Sequence, residues 1–215
     1  MSHTRRRLLT AALGVVCAPV ARLFAAELDD APDGAVLLVA KPDLPDANFR
    51  DTVVCVMQAP DGVGTLGLIL NKPLAARLAD AAPEAGGLAL ASERIYHGGP
   101  LAQNRILFLL QSEDAPANSV RLLDDVFLSA DAKLPQQIVR GEIVAQALRA
   151  YVGYAAWAPR QLKAEIATGA WLVTAADAPT IFTADAPALW PAMIKRLTTR
   201  TARTAHGGRR GAERV

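Results

Sequence analysis

Short, unbroken apolar runs closed by turn-forming residues dominate the first half of the chain. Ala35–Ala40, Thr52–Gln58, Leu66–Leu70 and Ile106–Leu110 lack a polar/apolar alternation and are rich in Val, Ile and Leu. Runs of this length and composition predict strands buried on both faces. Asp61-Gly62-Val63-Gly64 separates the second run from the third and predicts a turn, so the two should form an antiparallel hairpin. Ile95-Tyr96 opens a short strand that runs into His97-Gly98-Gly99-Pro100. Val120–Leu123 and Val126–Leu128 read as extended segments around a turn at Asp124-Asp125. Pro42 and Pro45 exclude regular structure from Lys41–Phe49, because each removes a backbone donor.

Helices are placed by periodicity and punctuation. Leu74–Ala82, bounded by Pro73 and Pro83, predicts a short one, and residues 83–92 an Ala/Gly-rich loop. Ser129 or Asp131 can cap another through Val139, closed by Gly141, with Pro135 favouring a late start. The strand Ala145–Val152 leads into an aromatic corner at Gly153–Trp157. Pro159 then suits a first helical turn, Leu162 and Ile166 share one face, and Gly169 suits the end. Ala170–Thr174 and Thr180–Thr183 read as strands. Asp185-Ala186-Pro187 opens a final helix to about Leu197, with Trp190, Ile194 and Leu197 on one side. Strands fall in antiparallel groups and helices interrupt them irregularly. The expectation is therefore α+β: a single compact domain with a largely antiparallel sheet and a few short flanking helices.

Charge changes this picture at the two ends. The chain has 215 residues, 52% of them hydrophobic, which suits one domain with tails. Arg5-Arg6-Arg7 followed by the apolar Leu8–Val16 resembles a twin-arginine export signal over residues 1–26. Without the four arginines of that segment, 23 basic residues become 19 against 21 acidic ones. The net +2 becomes −2, which disfavours nucleic-acid binding by the exported form. The expected location is the periplasm, with the cytoplasm as the alternative, and no membrane span is expected in the mature chain. Residues 27–34 read as an acidic linker, 35–199 as the domain, and 200–215, with five Arg and little apolar content, as a disordered basic tail. If Cys17 is removed with the signal, Cys55 is alone, and its apolar run marks it as a buried strand residue.

Candidate chemistry is sparse. His3, His97 and His206 have no ligand spacing, so no metal site is expected, and no cofactor motif is present. Gly62-x-Gly64-x-x-Gly67 enters a strand where a dinucleotide site needs a helix. The remaining candidate is a polar surface where loops meet: Asp43, Asn48, Asn71, Lys72, His97 and the Gly98-Gly99 backbone. Lys72 supplies positive charge, His97 supplies an imidazole, and glycines let a ligand approach main-chain N–H groups. The competing reading has Asn48 and Asn71 satisfying loop backbone and Gly98-Gly99-Pro100 turning the chain. Tyr154, Trp157 and Trp171 could form an aromatic binding face, but their apolar setting favours core packing.

Five blocks, in this order, resemble the YqgE/AlgH family of bacterial proteins. They are Leu38-Val39-Ala40-Lys41-Pro42 with Asp46–Phe49, Gly64–Pro73 ending in Asn71-Lys72-Pro73, Gly98-Gly99-Pro100, Gly153-Tyr154-Ala155-Ala156-Trp157, and Gln161-Leu162 with Glu165-Ile166 and Trp171-Leu172. The resemblance spans about Val36 to Leu197. It implies a strongly bent sheet and a suggested role in transcriptional regulation, with no catalytic residue set to carry across. The export-like segment lies outside the family pattern and conflicts with a direct role in transcription. The expected function is non-enzymatic binding or regulation of an unknown protein or small-molecule partner. The alternatives are a cytoplasmic transcriptional regulator and a hydrolase-like enzyme using His97 with a carboxylate such as Asp43.

Overall fold

The computed structural model describes residues 35–58, 64–81 and 94–209. The export-like segment, the linker up to residue 34 and residues 210–215 lie outside them. Ten strands and five helices are ordered β1 (Val36–Ala40), β2 (Val53–Gln58), β3 (Thr65–Ile69), β4 (Pro73–Arg77), α1 (Leu78–Ala81), β5 (Arg94–His97), β6 (Leu101–Gln111), β7 (Ser119–Leu123), β8 (Val126–Ser129), α2 (Leu134–Val139), β9 (Ala147–Trp157), α3 (Gln161–Ala167), β10 (Trp171–Ala175), α4 (Ala178–Ile181) and α5 (Leu189–Arg209).

Eight strands follow the path β10-β1-β2-β3-β9-β6-β8-β7, while β4 pairs with β5, and β5 lies parallel to β9. The β2–β3 hairpin forms as the turn between them predicts, with Val54 opposite Ile69 and Gln58 opposite Thr65. The sheet curls into a half-barrel. Its far edge returns to its start, where the Ala35 N–H donates to the Leu122 carbonyl at 3.2 Å.

The continuous apolar runs are explained by layers on both sides of this sheet. Leu37, Val39, Cys55, Leu68, Leu109 and Tyr151 point inward and pack with Leu189 and Met193 of α5. Leu38, Val54, Val56 and Ile69 point outward beneath Leu162 of α3. Phe108, Leu110, Phe127 and Leu148 are covered by Leu134 of α2. Trp190, Ile194 and Leu197 pack toward the interior, and the Trp190 indole N–H donates to the Ala40 carbonyl at 2.7 Å.

Five local expectations are corrected. The segment from Leu74 is not helical at first: Pro73–Arg77 pairs with Arg94–Tyr96 as β4, and only Leu78–Ala81 turns. Gly153–Trp157 is no corner but the second half of β9, which continues through Gly153 at φ 72°. Thr180–Thr183 is no strand. Asp177 caps α4 by accepting from the Thr180 N–H at 2.7 Å, with a proline in the first turn. Helix α2 does start late, but its N-cap is Lys133, while Ser129 and Asp131 bond to the approaching backbone. Helix α5 is described to Arg209, past Leu197.

Candidate functional site

The antiparallel register brings the C-terminal ends of β1 and β3 and the N-terminal ends of β2 and β10 to one rim of the half-barrel. Beyond Gly67, strand β3 separates from β9, and the segment after β5 fills the fork. The Gly98 N–H donates to the Val152 carbonyl at 2.8 Å, and the Gly98 carbonyl accepts from the Ile69 N–H at 2.9 Å. The Gly99 backbone then crosses β9 in contact with it.

No side chain fits at this crossing. A Cβ on Gly98 would lie 2.2 Å from the Gly153 carbonyl oxygen, and one on Gly99 would lie 2.2 Å from the Tyr154 carbonyl carbon. At Gly153 the φ of +72° adds a conformation that L-residues rarely adopt, and a Cβ would meet the Gly99 and Leu101 carbonyl oxygens at 2.6 Å. Gly98 and Gly99 are buried, and their freedom of approach serves another strand of this chain.

Asn71 is also turned inward. Its Oδ1 accepts from the Val53 N–H at 2.8 Å, and its Nδ2 donates to the Asp51 carbonyl at 2.8 Å. Asp51 has φ 56°, so the amide holds a left-handed residue where the loop enters β2. The rest of that loop is tied locally. Asp46 Oδ1 accepts from the Asn48 N–H at 2.8 Å and from its Nδ2 at 3.1 Å, and the Thr52 hydroxyl donates to the Phe49 carbonyl at 2.8 Å. Asp43 is exposed and shares no hydrogen bond or ion pair with His97 among the described residues.

Lys72 and His97 remain. They stand directly opposite each other where the β4–β5 pairing ends, and the His97 N–H donates to the Lys72 carbonyl at 2.8 Å. Their side chains share the face opposite to Tyr96, both half-buried, and neither has a side-chain partner among the described residues. The structure therefore brings Asn71, Lys72, His97, Gly98 and Gly99 to one place, with Asp43 and Asn48 on the neighbouring loop. Among the described residues, Lys72 and His97 at this place, and the exposed Asp43 on the neighbouring loop, are left with side-chain groups that form no hydrogen bond or ion pair.

Two polar clusters were not legible as such in the sequence. Glu165 joins both indoles: its Oε2 accepts from Trp157 Nε1 and Trp171 Nε1, each at 3.0 Å. Its Oε1 accepts from Gln161 Nε2 at 3.0 Å. Phe49 stacks on Trp157 with ring centres 5.5 Å apart, which makes these aromatics a packed outer layer. Tyr154 packs toward the opposite, inner side. In the interior, the buried Arg149 donates to the Ile181 carbonyl at 2.8 Å and to the Thr183 carbonyl, and lies 4.8 Å from the Tyr96 ring centre. This pins the end of α4 over the barrel. Burial pushes the neighbouring Cys55 thiol up to about 12 and raises the Tyr151 hydroxyl as well.

A cavity of about 540 Å³ lies between the loop after β6 and the connection from α2 to β9, with Glu113, Asp114, Glu142 and the exposed Val144 on its walls. None of the candidate residues lines it. Among the described residues no group of three or more His, Cys, Asp or Glu could hold a metal ion, and no helix is long and apolar enough to cross a membrane.

A curled antiparallel half-barrel, with two glycine segments crossing at the bend of β9, defines the class of protein. The chain belongs to the AlgH-like family, whose model matches residues 37–202. It is 32% identical to a UPF0301 protein of Thermobifida fusca over 169 residues, covering 74% of this chain and 84% of that one. A UPF0301 protein of Methylococcus capsulatus is 36% identical over 167 residues, covering 74% and 87%. The solution structure of the AlgH protein from Pseudomonas aeruginosa superimposes with a TM-score of 0.60 at 26% identity, over 83% of this chain and 93% of that one. A crystal structure of a Corynebacterium diphtheriae protein gives 0.65 at 25% identity, over 81% and 92%. None of these descriptions specifies a reaction or a ligand.

Proposed function

We propose that the protein is a non-enzymatic binding component that takes an anionic partner group at the Lys72–His97 pair. The observation that carries this reading is the division of labour at the rim. The polar groups of Asn48 and Asn71 and the Gly98 backbone are bonded internally, whereas Lys72 and His97 present theirs beside one another without a side-chain partner among the described residues. A lysine ammonium and an imidazole together favour an acidic side chain or a phosphate group.

The test is quantitative affinity capture from the native host, comparing the wild type with a Lys72→Ala/His97→Ala variant of matched melting temperature. At least one saturable partner should be retained by the wild type and lost by the double variant. Equal retention of every species by both proteins would remove this site.

The cationic and apolar N-terminal segment supports export, and hence partners in the envelope. Intact mass in separated periplasmic and cytoplasmic fractions tests it. A periplasmic species lacking roughly 25 N-terminal residues is expected. A full-length cytoplasmic species would instead restore the regulatory role in transcription.

A further inference from the structure

Strand β10 ends the sheet path and pairs with β1 alone. The register with β1 fixes which groups point outward. The Lys41 N–H donates to the Ala170 carbonyl at 3.1 Å, and the Ala176 N–H donates to the Ala35 carbonyl at 3.3 Å. Both pairs belong to the same ladder, so Leu172 and Thr174 bond toward β1, while the N–H and C=O groups of Trp171, Val173 and Ala175 point away. Among the described residues these outward groups have no hydrogen-bond partner.

The edge also lacks the usual protection. Trp-Leu-Val-Thr-Ala contains no charge and no proline, and its pairing with β1 runs without a bulge. Val173 is 44% exposed on the outer face. The opposite edge, β7, is different. It carries the exposed Arg121, has an irregular register between Arg121 and Leu123, and spends the Leu122 carbonyl on Ala35.

We propose that β10 is a self-association edge, and that its occupant is the β10 strand of a second copy of this chain, running antiparallel across a two-fold axis at Val173. The outward residues are spaced symmetrically about Val173. A second copy would therefore pair Trp171 with the partner's Ala175, Val173 with the partner's Val173, and Ala175 with the partner's Trp171. Each is a hydrogen-bonded pair that exchanges two bonds, six in all. The strand carries no charge, so self-pairing brings no like charges together. The two exposed valines meet on the same face. An interface of one short strand per copy falls below the roughly 1,200 Å² of a standard complex, so association should be weak and concentration-dependent.

Sedimentation equilibrium of the full chain tests this, using Val173→Lys and Val173→Pro. The Val173 N–H points away from β1, so proline there removes an outward donor and leaves the β1 ladder intact. The wild type should form dimers as concentration rises, and both variants should lose association by about tenfold or more with little change in melting temperature. Amide exchange at Val173 and Ala175 should slow with concentration in the wild type. This reads the same contact even if a variant folds poorly. A wild type that stays monomeric into the high-micromolar range, a dimer equally tight in both variants, or exchange at these amides that ignores concentration would overturn the proposal. A monomer whose β10 edge captures an extended peptide of another protein would overturn it too.

Discussion

Single residues in this protein act mainly by satisfying or excluding neighbours. Asn71 supplies both an acceptor and a donor to the start of β2. Asn71→Ala should therefore lower unfolding free energy by about 1–3 kcal/mol for each buried group left unpaired, measured by urea denaturation. Glu165 holds two indole N–H groups with one oxygen, so Glu165→Ala should shift the tryptophan fluorescence and destabilise the outer layer, whereas Glu165→Gln retains one acceptor oxygen. Trp157→Ala should cost roughly 3–5 kcal/mol, because a large buried side chain is removed. Cys55 gives a pH prediction. Its thiol ionises near the ordinary 9.0 in the unfolded chain and only at about 12 when buried. Between those values folding takes up a proton. Stability should fall as pH rises above 9, by about 1.4 kcal/mol per pH unit for this one group. Tyr151, also raised by burial, adds to the fall from pH 10 upward. Cys55→Ala should flatten the slope between pH 9 and 10, as read from urea midpoints. An unchanged slope would show that another group titrates there.

At the scale of elements, the local signals were legible where the chain alone decides the structure. The runs of β1, β2 and β3 are apolar throughout because layers cover both faces, and β2 pairs with the strand that follows it in sequence. The misreadings occurred where a partner distant in sequence decides. Pro73–Arg77 has weak intrinsic preference, and pairing with β5 makes it a strand. Gly153 looks like a chain reversal, yet its positive φ is a bend that β9 absorbs because Gly99 passes against it. At α4 a local signal was present. Asp177 followed by Pro179 is a capping pattern, and it outweighs the β-branched Thr180 and Ile181. Candidate residues were legible as a group, and Asn71 satisfies loop backbone as the competing reading had it, whereas the press of Gly98 and Gly99 against β9 depends on a strand distant in sequence.

The whole molecule is a bent sheet whose family-marking segments converge on one crossing. Gly98-Gly99 and Gly153 come from blocks far apart in sequence and meet backbone to backbone, while Lys72 and His97 lie beside them and contribute no side-chain bond to the described fold. The glycines should therefore govern stability, and the Lys72–His97 pair should be dispensable for it. Equilibrium urea unfolding of Gly153→Ala and of Lys72→Ala/His97→Ala, each against the wild type, measures this directly. Gly153→Ala should lose on the order of 3 kcal/mol or fail to fold, and the double variant should stay within about 0.5 kcal/mol of the wild type. Near-normal stability in Gly153→Ala, or an equal loss in the double variant, would contradict the separation of architecture from binding surface.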